Sequence, residues 1–311
     1  MPGPRPPGSG IVARPAGPDK PKLPRIIPDM LLSLDVGNTD LTIGMSNVGE
    51  PSGFIGEGRI ATSPRDISAD AFEALLGRLL GLEGRPLAAT VQAIVMASVI
   101  PAWSAAAAEI ATRHGIPFLE ATVETIPIPV RIDRPSEAGA DRLANAFAAG
   151  RLYGTPAIVI DFGTATTLDV VAADGAYIGG AIAAGLQLGL DALAARTAKL
   201  PRIELAAPTR AIGTDTVSAM QSGAVIGHIG LASELIDRTR AELAAASPEG
   251  ARIRVIVTSG LSNEPWAKEI RGIDAIDPLL TIRGLVLLHA EVEATAKGAA
   301  SVAIGAAEAQ T

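Results

Sequence analysis

Twice in this chain an apolar strand runs into an aspartate, one further residue, a glycine and a cluster of small polar residues. The first copy is Leu31-Leu32-Ser33-Leu34-Asp35-Val36-Gly37-Asn38-Thr39 and the second is Ile158-Val159-Ile160-Asp161-Phe162-Gly163-Thr164-Ala165-Thr166-Thr167. An apolar, β-branched run bounded by a glycine turn reads as a strand buried on both faces. After the first copy, Leu41, Ile43 and Met45 alternate with Thr42, Gly44 and Ser46, as a half-buried second strand would. A second strand beginning at Thr167 does the same for the other copy. Each turn offers backbone N–H groups and hydroxyls around one carboxylate, a combination that suits a phosphate and its counter-ion. One Asp-x-Gly turn is compatible with an ordinary hairpin. Two copies, each heading a strand pair, favour phosphate sites over ordinary hairpins and point to a fold made of two similar halves.

Length agrees with duplication: 311 residues are long for one core, and two domains are expected. We place a disordered Pro/Gly-rich tail at 1–29, a first domain at 30–153, a second at 154–297 and a frayed tail at 298–311. The opening stretch lacks an apolar segment, and Met30 stands directly before the first strand as the expected initiator. Hydrophobic residues make up 48% and aromatics only 3%, so the core is expected to be Ala, Val, Leu and Ile. A formal charge of −7 argues against nucleic acid or an anionic membrane as partner. The chain has no cysteine, which removes disulfides, thiolate zinc sites and a cysteine nucleophile and fits a cytoplasmic setting. No apolar run approaches the ~20 residues of a membrane helix.

In the first half the pattern predicts a third strand at 53–62 and a helix from Ser68 to about Leu80. A buried strand follows at 93–100, then a helix opened by Pro101 and a short strand at 116–121. A proline-punctuated connector at 125–135 leads to a helix at 139–152. The order then restarts with strands at 157–162, 167–172 and 176–183. Helices are expected at 186–197 and 214–246, the latter divided or closely packed because of Gly223, Gly227 and Gly230. Strands at 254–258 and 273–276 and a helix at 282–297 complete the half. Three strands, helix, strand, helix, strand is the order of a ribonuclease H-like domain. Two such α/β domains facing across a nucleotide cleft make the actin-like ATPase and sugar-kinase fold, with each Asp-x-Gly turn set against the phosphates.

Several further motifs stand in order: Gly139-Ala140-Asp141-Arg142, Ala198-Lys199-Leu200-Pro201, Ala219-Met220-Gln221-Ser222-Gly223 and Ile276-Asp277-Pro278-Leu279-Leu280-Thr281. With the two turns they resemble type III pantothenate kinase over about 31–290. The resemblance implies ATP-dependent phosphorylation of pantothenate, the first step towards coenzyme A, by a homodimer with a composite active site. It implies Mg²⁺ with the ATP and a monovalent cation, K⁺ or NH₄⁺. Asp35, Val36, Gly37, Asn38, Thr39, Asp40, Leu41 and Thr42 would form the first phosphate loop, with Asp35 near Mg²⁺–ATP and Thr164 donating from the second turn. Asp141 resembles the family's catalytic base and Asp161 its monovalent-cation ligand. Gly139, Ala140, Asp141 and Arg142 would bind substrate, with Ile132 nearby and Thr216 contributed across the dimer.

Three positions depart from the family pattern. Ile132 replaces a tyrosine at the substrate pocket, Ala184-Gly185 replaces Pro-Gly, and Ser259-Gly260 replaces Gly-Gly near the adenosine. The alternative reading is a catalytically weakened homologue acting as a nucleotide-binding regulatory protein; retention of Asp35, Asp141 and Asp161 favours the enzyme. Asp169 reads as a strand-end or solvent residue, and Trp103 and Trp266 as packing residues. His114, His228 and His289 are scattered without ligand spacing, and no Gly-x-x-x-x-Gly-Lys-Ser/Thr loop is present.

Overall fold

The computed structural model describes residues 30–48, 54–62, 66–82 and 84–308, and the tail expected at 1–29 lies outside them. The first strand, β1 (Met30–Val36), pairs antiparallel with β2 (Asp40–Asn47), which pairs antiparallel with β3 (Phe54–Ala61). On its other side β1 runs parallel to β4 (Val91–Ser98), and β4 runs parallel to β5 (Phe118–Glu120). The order is β3-β2-β1-β4-β5. The second sheet repeats it with β6 (Ala157–Phe162), β7 (Ala165–Val171), β8 (Tyr177–Ala184), β9 (Arg254–Thr258) and β10 (Ala275–Ile276), in the order β10-β9-β6-β7-β8. Asp35 and Asp161 hold the same place, next to last on the central strand, opposite Thr42 and Thr167 respectively.

Helix α1 (Ala69–Leu79) starts where expected, with the Ser68 hydroxyl accepting from the Ala71 N–H at 3.2 Å. Helix α2 (Pro101–His114) opens on its proline and ends at Gly115, whose φ of 64° closes the last turn. Both cover one face of the first sheet, with Trp103 buried against Phe72. Between the sheets lie α3 (Ala140–Tyr153) and α6 (Leu280–Glu308). Every residue of 143–149 in α3 is buried, the signature of a helix surrounded on all sides. Leu31, Ala93 and Val95 from the first sheet and Ala157, Val159 and Ile256 from the second share one core with it. The chain's last helix, α6, packs against β1, β2 and β4 as well as α3.

Helices α4 (Leu186–Arg196) and α5 (Thr216–Ala245) cover the outer face of the second sheet, where Trp266 is buried with Phe162. One helix expectation left open is resolved, and another needs correction. Helix α5 is a single element, closed at its start by a reciprocal Asp215–Ser218 capping box, and a methyl group added at Gly223, Gly227 or Gly230 would meet open space. Helix α6 does not stop at Lys297 but continues to Glu308, because the alanines beyond it favour helix strongly enough to carry Gly298 and Gly305.

Candidate functional site

The two Asp-x-Gly turns meet. Thr39 Oγ1 and Thr164 Oγ1 are 2.6 Å apart, joining the head of the first sheet to the head of the second. They border a cavity of about 410 Å³ that also takes in Asp35, Asn38, Asp40, Thr42, Asp141 and Asp161. Small hydroxyl residues stand on both sides, as suits a cradle for phosphate oxygens, while the Gly37 and Gly163 N–H groups close their own turns on Asp40 and Ala165.

Asp141 enters this cavity from the first turn of α3, where the N-terminal end of the helix favours negative charge. Its Oδ1 accepts from the Arg142 N–H at 2.8 Å. A Cβ at Gly139 would come within 2.5 Å of that same oxygen, so a side chain there would displace the Asp141 carboxylate. Asp161 is held from two sides. Asn145, fully buried in α3, donates to its Oδ2 at 3.0 Å and accepts from Thr281 at 2.8 Å, while the Ser259 hydroxyl donates to its Oδ1. The Ser259 backbone sits at φ 71° and ψ 179°, a conformation that glycine takes freely and serine does not. The departure from Gly-Gly therefore places a strained serine whose side chain turns to Asp161. A Cβ at Gly260 would lie 2.0 Å from an Arg59 nitrogen, so a side chain there would displace the Arg59 guanidinium.

Three carboxylates around one cavity oppose each other's ionisation. Burial pushes Asp35 well above the usual carboxyl range, and the charges of Asp141 and Asp161 add to the rise. Burial raises Asp141 against the pull of Arg142, and raises Asp161 against its bonds from Ser259 and Asn145. Among the described residues no three carboxylates or imidazoles converge closely enough to hold a metal ion by themselves, but Mg²⁺ is commonly held by one or two carboxylates plus substrate phosphates, and negative charge at this cavity fits that arrangement. A raised pKa means that the folded chain binds more protons than the unfolded one, so stability falls as pH climbs through the window. The window opens near the ordinary carboxyl value, about 4. It reaches about 7, where burial places Asp169. Without ligands the protein should therefore melt at a higher temperature at pH 5.5 than at pH 7.5. Thermal melts at the two values check this, and equal or reversed midpoints would contradict the electrostatic account.

The other expected residues divide into three groups. Gly37 and Thr164 line the cavity, but the Val36 and Leu41 side chains are fully buried in the core, so only their backbone can serve a ligand. Ala140, Arg142 and Ile132 do not line it. Arg142 instead lies beside β7, and Ile132 packs near Gly179, placed there because the 125–135 connector hydrogen-bonds to β8 at Tyr177. Thr216 is elsewhere in the chain: it borders a second, mostly apolar groove between α4 and α5 with Leu190, Gly223 and Gly227.

The reading of Asp169 is corrected. It lies in the middle of β7 with no exposed surface, accepting from Arg142 Nε at 2.7 Å, Tyr177 at 3.0 Å and Thr167 at 3.1 Å. Arg59 was also missed; it lines the cavity from β3 and pairs with Asp40 at 2.9 Å. So was Asn145, whose one trace in the sequence is an amide within an otherwise apolar helical stretch.

The sequence matches the family profile described as type III pantothenate kinase over residues 31–238. A type III pantothenate kinase of Moorella thermoacetica is 40% identical over 268 residues, covering 84% of this chain and 98% of that one. One from Streptomyces coelicolor is 40% identical over 267 residues, covering 84% and 97%. Among solved structures, a candidate 2-dehydro-3-deoxygalactonokinase from Sinorhizobium meliloti superposes with a TM-score of 0.50 at 16% identity, covering 84% of this chain and 98% of that one. A reductive activator for a corrinoid, iron–sulfur protein does so at 0.50 and 12% identity, covering 87% and 62%. These likenesses are of fold alone.

Proposed function

The chain belongs to the type III pantothenate kinase family, and from that premise we propose how its residues divide the work. The protein is a kinase that transfers the γ-phosphoryl group of ATP to pantothenate, giving 4′-phosphopantothenate on the way to coenzyme A. Within this chain, the observation that carries the assignment of roles is the junction of the two turns through Thr39 and Thr164 over Asp35, Asp141 and Asp161.

The two sheets and their helices act as two ribonuclease H-like domains, with the nucleotide in the cleft between them. The loop from Asp35 to Thr42 and Thr164 take the phosphates, Asp35 would stand near Mg²⁺–ATP, and Asp161 would hold K⁺ or NH₄⁺. A bound cation supplies charge neutralisation for the phosphoryl oxygens. Asp141 takes the proton of the primary hydroxyl. The hydroxyl oxygen forms its bond to the γ-phosphorus as the bond to the β–γ bridging oxygen breaks, and ADP leaves. Burial, by raising Asp141, makes it a stronger base than a free carboxylate. Gly139, Ala140 and Arg142 position the substrate.

A second copy of the chain completes the site. Ile226 on α5 is 42% exposed and lies on the same side of the helix as Gly223, Gly227 and Gly230, which leave that face open to close approach. Thr216 belongs to this face and would reach the partner's substrate. No described helix is long and apolar enough to cross a membrane. The use of ATP puts the enzyme's place of work in the cytoplasm.

The test is a coupled ADP assay over a pantothenate series for the parent and Ile132→Tyr. Ile132 leaves out a hydroxyl, which is worth about 1 kcal/mol, or roughly fivefold in KM. Ile132→Tyr should lower the KM for pantothenate by about that factor. ATP binding without pantothenate-dependent ADP from either protein would favour a regulatory nucleotide-binding homologue instead.

A further inference from the structure

Asp169 has no part in the transfer step, yet the fold goes to some length to keep a carboxylate there. On β7, Leu168 and Val170 face the outer core, while Thr167, Asp169 and Val171 face the other side. An ion in such a place is costly unless it is fully hydrogen-bonded, and Asp169 has three donors: Arg142 Nε, the Tyr177 hydroxyl and the Thr167 hydroxyl.

Arg142 is the member of this group that points to a ligand. It follows Asp141 directly, its side chain is only 16% exposed, and its guanidinium carbon lies 5.8 Å from the centre of the Tyr177 ring. Asp169 occupies the Nε side alone. The two terminal nitrogens have no hydrogen-bond partner among the described residues. A planar fork with both ends free, held by an ion pair on one side and an aromatic ring beneath, is shaped for a second carboxylate. Pantothenate carries one, at the end opposite its primary hydroxyl.

We propose that Asp169, with Tyr177, is a positioning residue that fixes the Nε side of Arg142 and so presents its free nitrogens to the substrate carboxylate, making that carboxylate a condition of tight binding. This rests on the reading of the protein as a pantothenate kinase. Without Asp169 the long Arg142 side chain is free to turn towards solvent, and ordering it again opposes binding. The loss falls mainly on KM. The ionisable groups facing Asp169 are Arg142 and Asp141 on α3 and Tyr177 on β8. Burial pushes Asp169 up to about 7, so its hold on Arg142 is ionic above that pH and a neutral hydrogen bond below it.

The experiment compares parent, Asp169→Asn and Tyr177→Phe with pantothenate and with panthenol, its analogue bearing a hydroxyl in place of the carboxylate. Asp169→Asn should raise the KM for pantothenate about tenfold or more while kcat falls less than about threefold, and should narrow the preference for pantothenate over panthenol by a similar factor. The parent's KM should rise between pH 8 and pH 6, and that of Asp169→Asn should stay level. Tyr177→Phe should shift KM the same way by a smaller factor, and it decides the matter if Asp169→Asn does not fold. An active parent whose variants keep their KM, or lose activity equally on both substrates, would overturn the proposal. A parent with no pantothenate-dependent ADP would overturn the functional reading along with it.

Discussion

Asp141→Asn should lower turnover by roughly 10²–10⁴-fold, the usual worth of a positioned base, while the fold and ATP binding persist. The asparagine oxygen can still accept from the Arg142 N–H that now meets Asp141 Oδ1 at 2.8 Å, so the first turn of α3 need not move. One negative charge also leaves a cluster in which Asp141 raises both Asp35 and Asp161, so the variant should be at least as stable as the parent. Steady-state rates at saturating pantothenate, with calorimetry for ATP, separate the two effects. A rate near the parent's would remove Asp141 from the mechanism. A rate loss accompanied by loss of ATP binding would make it a structural residue instead.

Asp161→Ala should cost on the order of 10²-fold or more in rate, comparable to removing one preorganised electrostatic contact at a reacting centre. The parent should in addition require K⁺ or NH₄⁺. Replacing Asp161 also leaves Asn145 Nδ2 and the Ser259 hydroxyl without their acceptor. An unsatisfied buried donor costs about 1–3 kcal/mol, so a lower melting temperature should accompany the loss. Asp161→Asn separates the contributions, since it keeps the shape and removes the charge. Assays in K⁺, NH₄⁺, Na⁺ and Tris decide the cation question: full parent activity without K⁺ or NH₄⁺ would end the assignment of Asp161 as a monovalent-cation ligand.

The elements of this protein were legible because they are written locally. Strand β6 was read at its observed bounds, β7 and β8 within about two residues, and Ser68 capped α1 as its side chain predicted. The repetition of the Asp-x-Gly turn at equivalent strand ends foretold two sheets of the same order. Readings failed where a residue's role depends on what the fold brings to it. Asp169 looked like a strand end because a charge interrupts an apolar run, yet Arg142, 27 residues earlier, makes it a buried ion pair. The glycines of α5 left a divided helix and a closely packed single one both open, and the capping box with the packing of Met220, Val225 and Ile236 decided for the single helix.

What the sequence alone determined, then, was the set of strands and helices, their duplicated order, the chemistry at the two turns and the family that carries them. Alternation, caps and Asp-x-Gly turns act between residues a few positions apart, where the backbone itself enforces proximity. What only the tertiary structure decided was which polar groups meet: Thr39 with Thr164 across 125 residues, Asn145 with Thr281 across 136, and Ser259 with Asp161 across 98. Those contacts have no period and no local signature. They form because the shared layer of α3 and α6 buries apolar faces of both sheets at once, and that burial brings the heads of β1 and β6 together.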